Sequence, residues 1–191
     1  DVAGLVLIDP PEQNVAAFAP AWAKDDVESS KQRFAFIRQC AKGAEQGLLA
    51  APPDNLKRCI SPVVPFADAK VTAAVVGYKM KPAYWHTLLS ELQNNQIVFA
   101  QPVSANENHG SMPLVVLTAD NTYADAPPAV RKLLEAARES TQAHIAATST
   151  GGKRVFVKNT SHDIQIDQPQ AVADAILAMI SDRQMATQPK R

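Results

Sequence analysis

His162 lies in a short polar turn, Thr160-Ser161-His162-Asp163, joining an apolar run that ends at Val157 to an amphipathic stretch that opens at Gln168-Pro169. An imidazole at the end of a strand titrates near neutrality. It can accept a proton from one group and return it to another, provided that a carboxylate fixes its tautomer. None of Ser111, Ser149 and Ser161 has the glycine-flanked strand-to-helix turn that presents a nucleophilic hydroxyl. His86 and His109 are solitary and too widely spaced to imply a metal, and His144, beside Ile145 on a helical stretch, is expected to be packed or hydrogen-bonded. Cys40 and Cys59 flank a Gly/Pro turn region with no histidine or third thiol at ligand spacing, so a closed zinc site is not expected. A disulfide between them is the expectation, with two free buried thiols as the alternative. Such a bridge favours an exported protein, periplasmic or secreted, and would stabilise the loop by about 2 to 4 kcal/mol.

These residues are set in a chain of strands and helices of unequal clarity. Val2 to Ile8 (VAGLVLI) is a nearly continuous apolar run stopped by Asp9-Pro10-Pro11, as suits a strand of a parallel sheet covered on both faces. Met112 to Thr118 (MPLVVLT) is a second such strand, with its proline near the beginning, and Lys153 to Lys158 is a third. Between the first two, from Phe18 to about Gln96, helical stretches alternate with prolines. Phe34, Ile37, Ala41, Ala44 and Leu48 mark one helix, ended by Gly47 or Ala51-Pro52-Pro53. A second lies near Ala67 to Tyr78, and Pro82 opens a third that carries Tyr84, Leu88, Leu89 and Leu92. Pro127-Pro128 opens a long helix through Val130, Leu133, Leu134, Ala137 and Ile145 that Gly151-Gly152 is expected to end. Pro169 opens the last, with Val172, Ile176, Met179 and Ile180 as its expected buried stripe.

The 191 residues are 46% hydrophobic, enough for one sizeable core, and the 19 basic residues are balanced by 19 acidic ones. No segment carries the cationic excess a polyanion surface requires, so nucleic acid is not an expected partner. No apolar run approaches the roughly 20 residues needed to span lipid. No G-x-G-x-x-G or P-loop sequence offers a nucleotide cradle, and no cofactor is expected.

With VAGLVLIDPPE, MPLVVLTAD and SHDIQIDQPQAVADAI in this order, the sequence resembles the carboxyl-terminal half of the alpha/beta-hydrolase family, particularly its lidded esterase and lipase-like members. The resemblance covers essentially the whole chain. It implies a partial alpha/beta-hydrolase fold: a parallel sheet flanked by helices, with residues 1–17 and 97–191 in the core and 18–96 a helical lid inserted after the sixth strand. In such enzymes a serine on a G-x-S-x-G turn attacks a carbonyl, a histidine carries the proton and an acid holds the histidine. His162 is the counterpart of that histidine.

For the acid, the usual family position beyond the seventh strand brings Asp120 and Asp125 into view, but the third position after Ala119 is Thr122. A minority of the family places the acid after the sixth strand in an L-D-P-like context, which Leu7-Ile8-Asp9-Pro10 matches. Asp9 is therefore the preferred acid, Asp120 the alternative and Asp125 the third choice. Asp163 is expected to point away from the ring, and Asp167 to lie near the start of the last helix. His109-Gly110 is similar to an oxyanion His-Gly but precedes the wrong strand.

The resemblance also implies that the serine, the oxyanion hole and the first strands lie on sequence before Asp1, in the same polypeptide or a partner chain. The implied reaction is cofactor-independent hydrolysis of a small-molecule ester or related acyl bond. Phe34, Phe36, Phe66, Tyr78, Tyr84, Trp85 and Leu89 would line the substrate approach or form the lid's own core. The alternatives are haloalkane or epoxide hydrolysis, with an aspartate at the missing elbow, and a catalytically silent binding protein.

Overall fold

The computed structural model describes residues 2–61 and 68–187. In chain order the elements are β1 (Leu5–Ile8), α1 (Pro20–Glu45), α2 (Lys57–Ile60), α3 (Ala69–Lys79), α4 (Pro82–Phe99), β2 (Leu114–Ala119), α5 (Pro128–Ala147), β3 (Gly152–Val157), α6 (Ile164–Asp167) and α7 (Pro169–Thr187). They divide into two compact units, Asp1–Trp22 with Phe99–Arg191, and Ala23–Val98.

The first unit is of the α/β class. Its three strands form a parallel sheet in the order β1-β2-β3, with Leu5 opposite Leu114 and Leu114 opposite Gly152. β1 and β2 are apolar runs rich in valine, leucine and isoleucine, of the kind that sheets with both faces covered select, whereas β3 carries Lys153 and Arg154 and leaves Val155 and Phe156 exposed. The central strand β2 is buried at every residue. Alternation sends Val115, Leu117 and Ala119 to one face, where they meet Val157, Ile164 and the α7 residues Ala171, Val172, Ala175 and Met179. Leu114, Val116 and Thr118 face the other way, toward α5; Thr118 Oγ1 donates to Gln142 Oε1 at 2.5 Å.

Two local expectations are corrected here. In α7 it is the alanines, with Val172 and Met179, that face the sheet, whereas Ile176 and Ile180 are exposed. Small residues let the helix lie close to the strands. And α5 does not run to Gly151-Gly152: it stops at Ala147, where Thr148 donates through N and Oγ1 to the Ile145 carbonyl. Gly152 instead opens β3, so near the Ala146 carbonyl that a Cβ has no room.

The second unit is helical and closes around a disulfide, Cys40–Cys59. Both sulfurs are fully enclosed among Ile37, Ala41, Ala44, Leu49, Leu56 and Trp85. Helix α1 starts well before the apolar stripe that announces it, residues 24–29 being mostly polar and exposed; Gly47, at φ 69°, ends the turn that follows. The Trp85 indole donates to the Lys79 carbonyl at 2.6 Å, and Phe36 and Tyr84 pack edge-on against its ring. Phe36, Tyr84, Trp85 and Leu89 thus belong to this unit's own core, while Tyr78 is exposed and Phe66 lies outside the described residues. No helix among the described residues is long and apolar enough to cross a membrane.

Candidate active site

All three parallel strands run the same way, so the residues that follow them collect at one edge of the sheet. Asp9 follows β1, Asp120 follows β2, and the turn bearing His162 follows β3. The structure brings Asp9 and His162 together: His162 Nδ1 lies 3.0 Å from Asp9 Oδ2, across 153 residues of sequence. Asp120 is not bonded to the ring. Its carboxylate accepts from the backbone N–H groups of Asn159 and Thr160, at 2.9 and 3.0 Å, and so pins the turn that carries the histidine. Asp125 is exposed.

Asp9 is 1% exposed and holds a left-handed backbone, φ 41°, directly before a proline. A β-carbon residue pays for that conformation, and proline disfavours helical torsions in the residue before it. A dense set of donors holds it there. Oδ1 accepts from Ala119 N at 3.2 Å, Arg138 Nη1 at 3.0 Å and Gln142 Nε2 at 3.0 Å. Oδ2 accepts from Thr122 Oγ1 at 2.6 Å and from the histidine. Gln142 also donates to the Pro10 carbonyl at 2.9 Å, tying the same turn to α5.

The charges follow from this geometry. Burial pushes the Asp9 carboxyl up, but hydrogen bonds from His162, Thr122 and Gln142 and the Arg138 charge outweigh it and hold it at about 2. Asp9 is therefore an acceptor at neutral pH, so Nδ1 of His162 carries the proton and Nε2 is the basic nitrogen. The hydrogen bond that His162 donates to Asp9 raises the His162 pKa and partial burial opposes it, while the Asp9, Asp163 and Glu12 charges raise it further. The ring is 58% exposed on its side chain, so Nε2 is open to a reactant.

The turn around the histidine is built locally. Asn159, at φ 58°, supplies the left-handed bend leaving β3. Thr160 Oγ1 donates to Val157 O at 2.7 Å, and Asp167 Oδ2 accepts from both N and Oγ of Ser161 at 2.7 Å. That contact lowers the Asp167 pKa.

The other singled-out residues lie elsewhere in the chain. Ser149 is buried and donates to Met112 O at 2.5 Å; Ser111 is exposed. His86 pairs with Glu45 and His109 with Glu107, whereas His144 is exposed rather than packed, since its side of α5 faces away from the sheet. Among the described residues no cluster of His, Cys, Asp and Glu is placed to hold a metal ion.

Thr122, Arg138 and Gln142 complete the site, and the residue types alone do not announce them. The one available signal is phase: Arg138 follows Leu134 by one helical turn, and Thr141 and Gln142 continue the same buried face of α5. Comparison with protein-family models, with curated proteins and with solved structures finds no match.

Proposed function

We propose that this chain supplies the acid and the base of a serine hydrolase of alpha/beta-hydrolase type, acting on carboxylic esters or related acyl bonds. The observation that carries the reading is the 3.0 Å contact between Asp9 and His162 at the edge of a parallel sheet, with the imidazole's second nitrogen open. In this reading Nε2 takes the proton of a serine hydroxyl as that oxygen attacks the carbonyl. It then returns the proton to the leaving oxygen, and a water repeats the cycle on the acyl-enzyme. Asp9 keeps the productive tautomer and stabilises the imidazolium that forms at each step.

The serine and the oxyanion donors are assigned to sequence outside residues 1–191, in the same polypeptide or a partner chain. The edge of β1, unpaired among the described residues, supports a neighbouring strand there: it offers Leu5, Val6, Leu7 and Ile8, half-buried and uncharged, where an edge meant for solvent is usually charged or bulged. The helical unit Ala23–Val98 takes the part of a lid, and its enclosed disulfide suits an oxidising compartment such as the periplasm or the cell exterior.

Fluorophosphonate labelling of the native protein that contains this chain tests the reading. Covalent labelling of a serine is expected, slowed by about a thousandfold or more in His162→Ala. Folded protein that resists the probe, or a His162→Ala variant that reacts at the wild-type rate, overturns it.

A further inference from the structure

The polar cluster behind Asp9 is larger than a carboxylate needs simply to be satisfied, and one member carries a fixed charge. Arg138 is 7% exposed on its side chain and places Nη1 at 3.0 and 3.3 Å from the two oxygens of Asp9. The same nitrogen donates to Thr122 Oγ1. A hydroxyl that accepts from a guanidinium must turn its own proton elsewhere, and the acceptor within reach is Asp9 Oδ2. Gln142 is oriented in the same manner. Arg154 Nε donates to Thr118 Oγ1 at 2.8 Å, leaving the Thr118 proton for Gln142 Oε1, so that Nε2 is committed to Asp9 and to the Pro10 carbonyl.

We propose that Arg138 and Gln142 of α5 are positioning residues for the Asp9–His162 pair, and that the Arg138 charge sets the pH at which His162 becomes a base. The inference rests on the reading of His162 as a proton carrier. Asp9 sits between a permanent cation and a titrating imidazole. The groups facing the ring, Asp9, Glu12 and Asp163, are all acidic, and each favours imidazolium. Tyr123, in the loop after β2, stays neutral because burial and the adjacent Glu12 push its pKa up. Its ring also lies 5.3 Å from the Arg138 guanidinium carbon. Against this acidic surround Arg138 provides the opposing charge. Without it, an uncompensated buried Asp9 would hold His162 protonated into the neutral range, and an imidazolium cannot accept a proton. Gln142 contributes aim rather than charge: it fixes Oδ1, and with it the plane in which Oδ2 meets the ring.

The test is an NMR titration of the His162 ring protons, assigned by their loss in His162→Gln, in the complete protein and in Arg138→Gln and Gln142→Met, beside pH profiles of kcat/KM for an aryl ester. Arg138→Gln should raise the His162 pKa by about one unit and move the acidic limb of the profile upward by the same amount. Gln142→Met should leave that pKa within about 0.3 units and lower kcat about tenfold with KM little changed. A folded Arg138→Gln protein whose His162 pKa and acidic limb match wild type overturns the proposal. Should that variant not fold, Arg138→Lys is read instead: retained charge predicts an unmoved His162 pKa, and a shift of about one unit or more overturns the electrostatic assignment. The two readings fail separately. A responsive His162 in protein that never reacts with fluorophosphonate removes the hydrolase reading and leaves this one, and a reactive serine with an unresponsive His162 does the reverse.

Discussion

Asp9 and Asp120 end adjacent parallel strands with the same side chain, yet do different work. Asp9 is enclosed, turns its oxygens onto side chains from α5 and the loop after β2, and meets the imidazole. Asp120 is exposed, accepts from two backbone N–H groups and never touches the ring. The pKa of each is lowered, by side-chain donors and Arg138 against burial for Asp9 and by the Thr160 and Asn159 amides for Asp120. A low pKa therefore does not mark the carboxylate that meets the histidine; the direction in which its lone pairs point does. Of the two, one orients the imidazole side chain and the other the backbone that carries it.

The largest effect that separates them is on turnover. On the proposed hydrolase reading, Asp9→Asn in the protein that contains this chain should lower kcat/KM by about a thousandfold or more, because the amide cannot hold the productive tautomer. Asp120→Asn, which loses charge but keeps an acceptor oxygen for the turn, should lower it by less than about tenfold. Steady-state kinetics of both on one ester check this, and comparable losses would erase the distinction.

Next in size is a transplant. Thr122 Oγ1 lies 2.6 Å from Asp9 Oδ2, so a carboxylate at 122 occupies nearly the same space. Asp9→Asn combined with Thr122→Asp should recover at least about tenfold of the activity lost in Asp9→Asn; no recovery would mean that the loop after β2 cannot aim an acid at the ring.

Stability separates them less sharply. Asp9, held at about 2 against an ordinary 3.8, contributes stabilisation that is present above pH 4 and lost as the pH falls toward 2, on the order of 2 kcal/mol. His162 has the opposite sign: its raised pKa contributes stability below its unfolded value, about 6.5, that is lost as the pH rises through the folded one. Urea unfolding between pH 2 and 8 should therefore show both slopes in wild type and shallower ones in Asp9→Asn, where Asp120 and Asp167 still contribute the acidic slope and Asp163 and Glu12 part of the other. The smallest predicted change is at Asn159, whose φ of 58° glycine also adopts: Asn159→Gly should alter stability by less than about 1 kcal/mol, whereas Asn159→Val should cost more.

Much of the frame was readable because it rests on local periodicity. The apolar runs VAGLVLI and MPLVVLT mark β1 and β2, with ends displaced by a few residues where Val2 is exposed and Pro113 has no N–H to give. Asp9, preceding proline at the close of an apolar run, could be singled out beforehand. The donors around it could not. Gln142 and Arg138 lie 133 and 129 residues away, and on a helix a buried glutamine or arginine has the same letters as a solvated one. In α7, hydropathy favoured the isoleucines over the alanines that actually meet the sheet, since close approach depends on size rather than hydrophobicity. The start of α1 is not legible for a related reason: between Trp22 and Phe34 the helix is mostly polar and exposed and gives no stripe.

The Cys40–Cys59 bridge fixes an order of events. Both sulfurs are at zero exposure, walled by Trp85, Leu49 and Leu56. A thiolate or an oxidant must reach a sulfur in line to make or break such a bond. The pairing must then precede closure of the helices around it, and once they have closed, an external thiol meets the bond only through molecules that have opened. Formation of the bridge is thus timed by the helical unit, and a reductant added afterwards reports how often that unit comes apart.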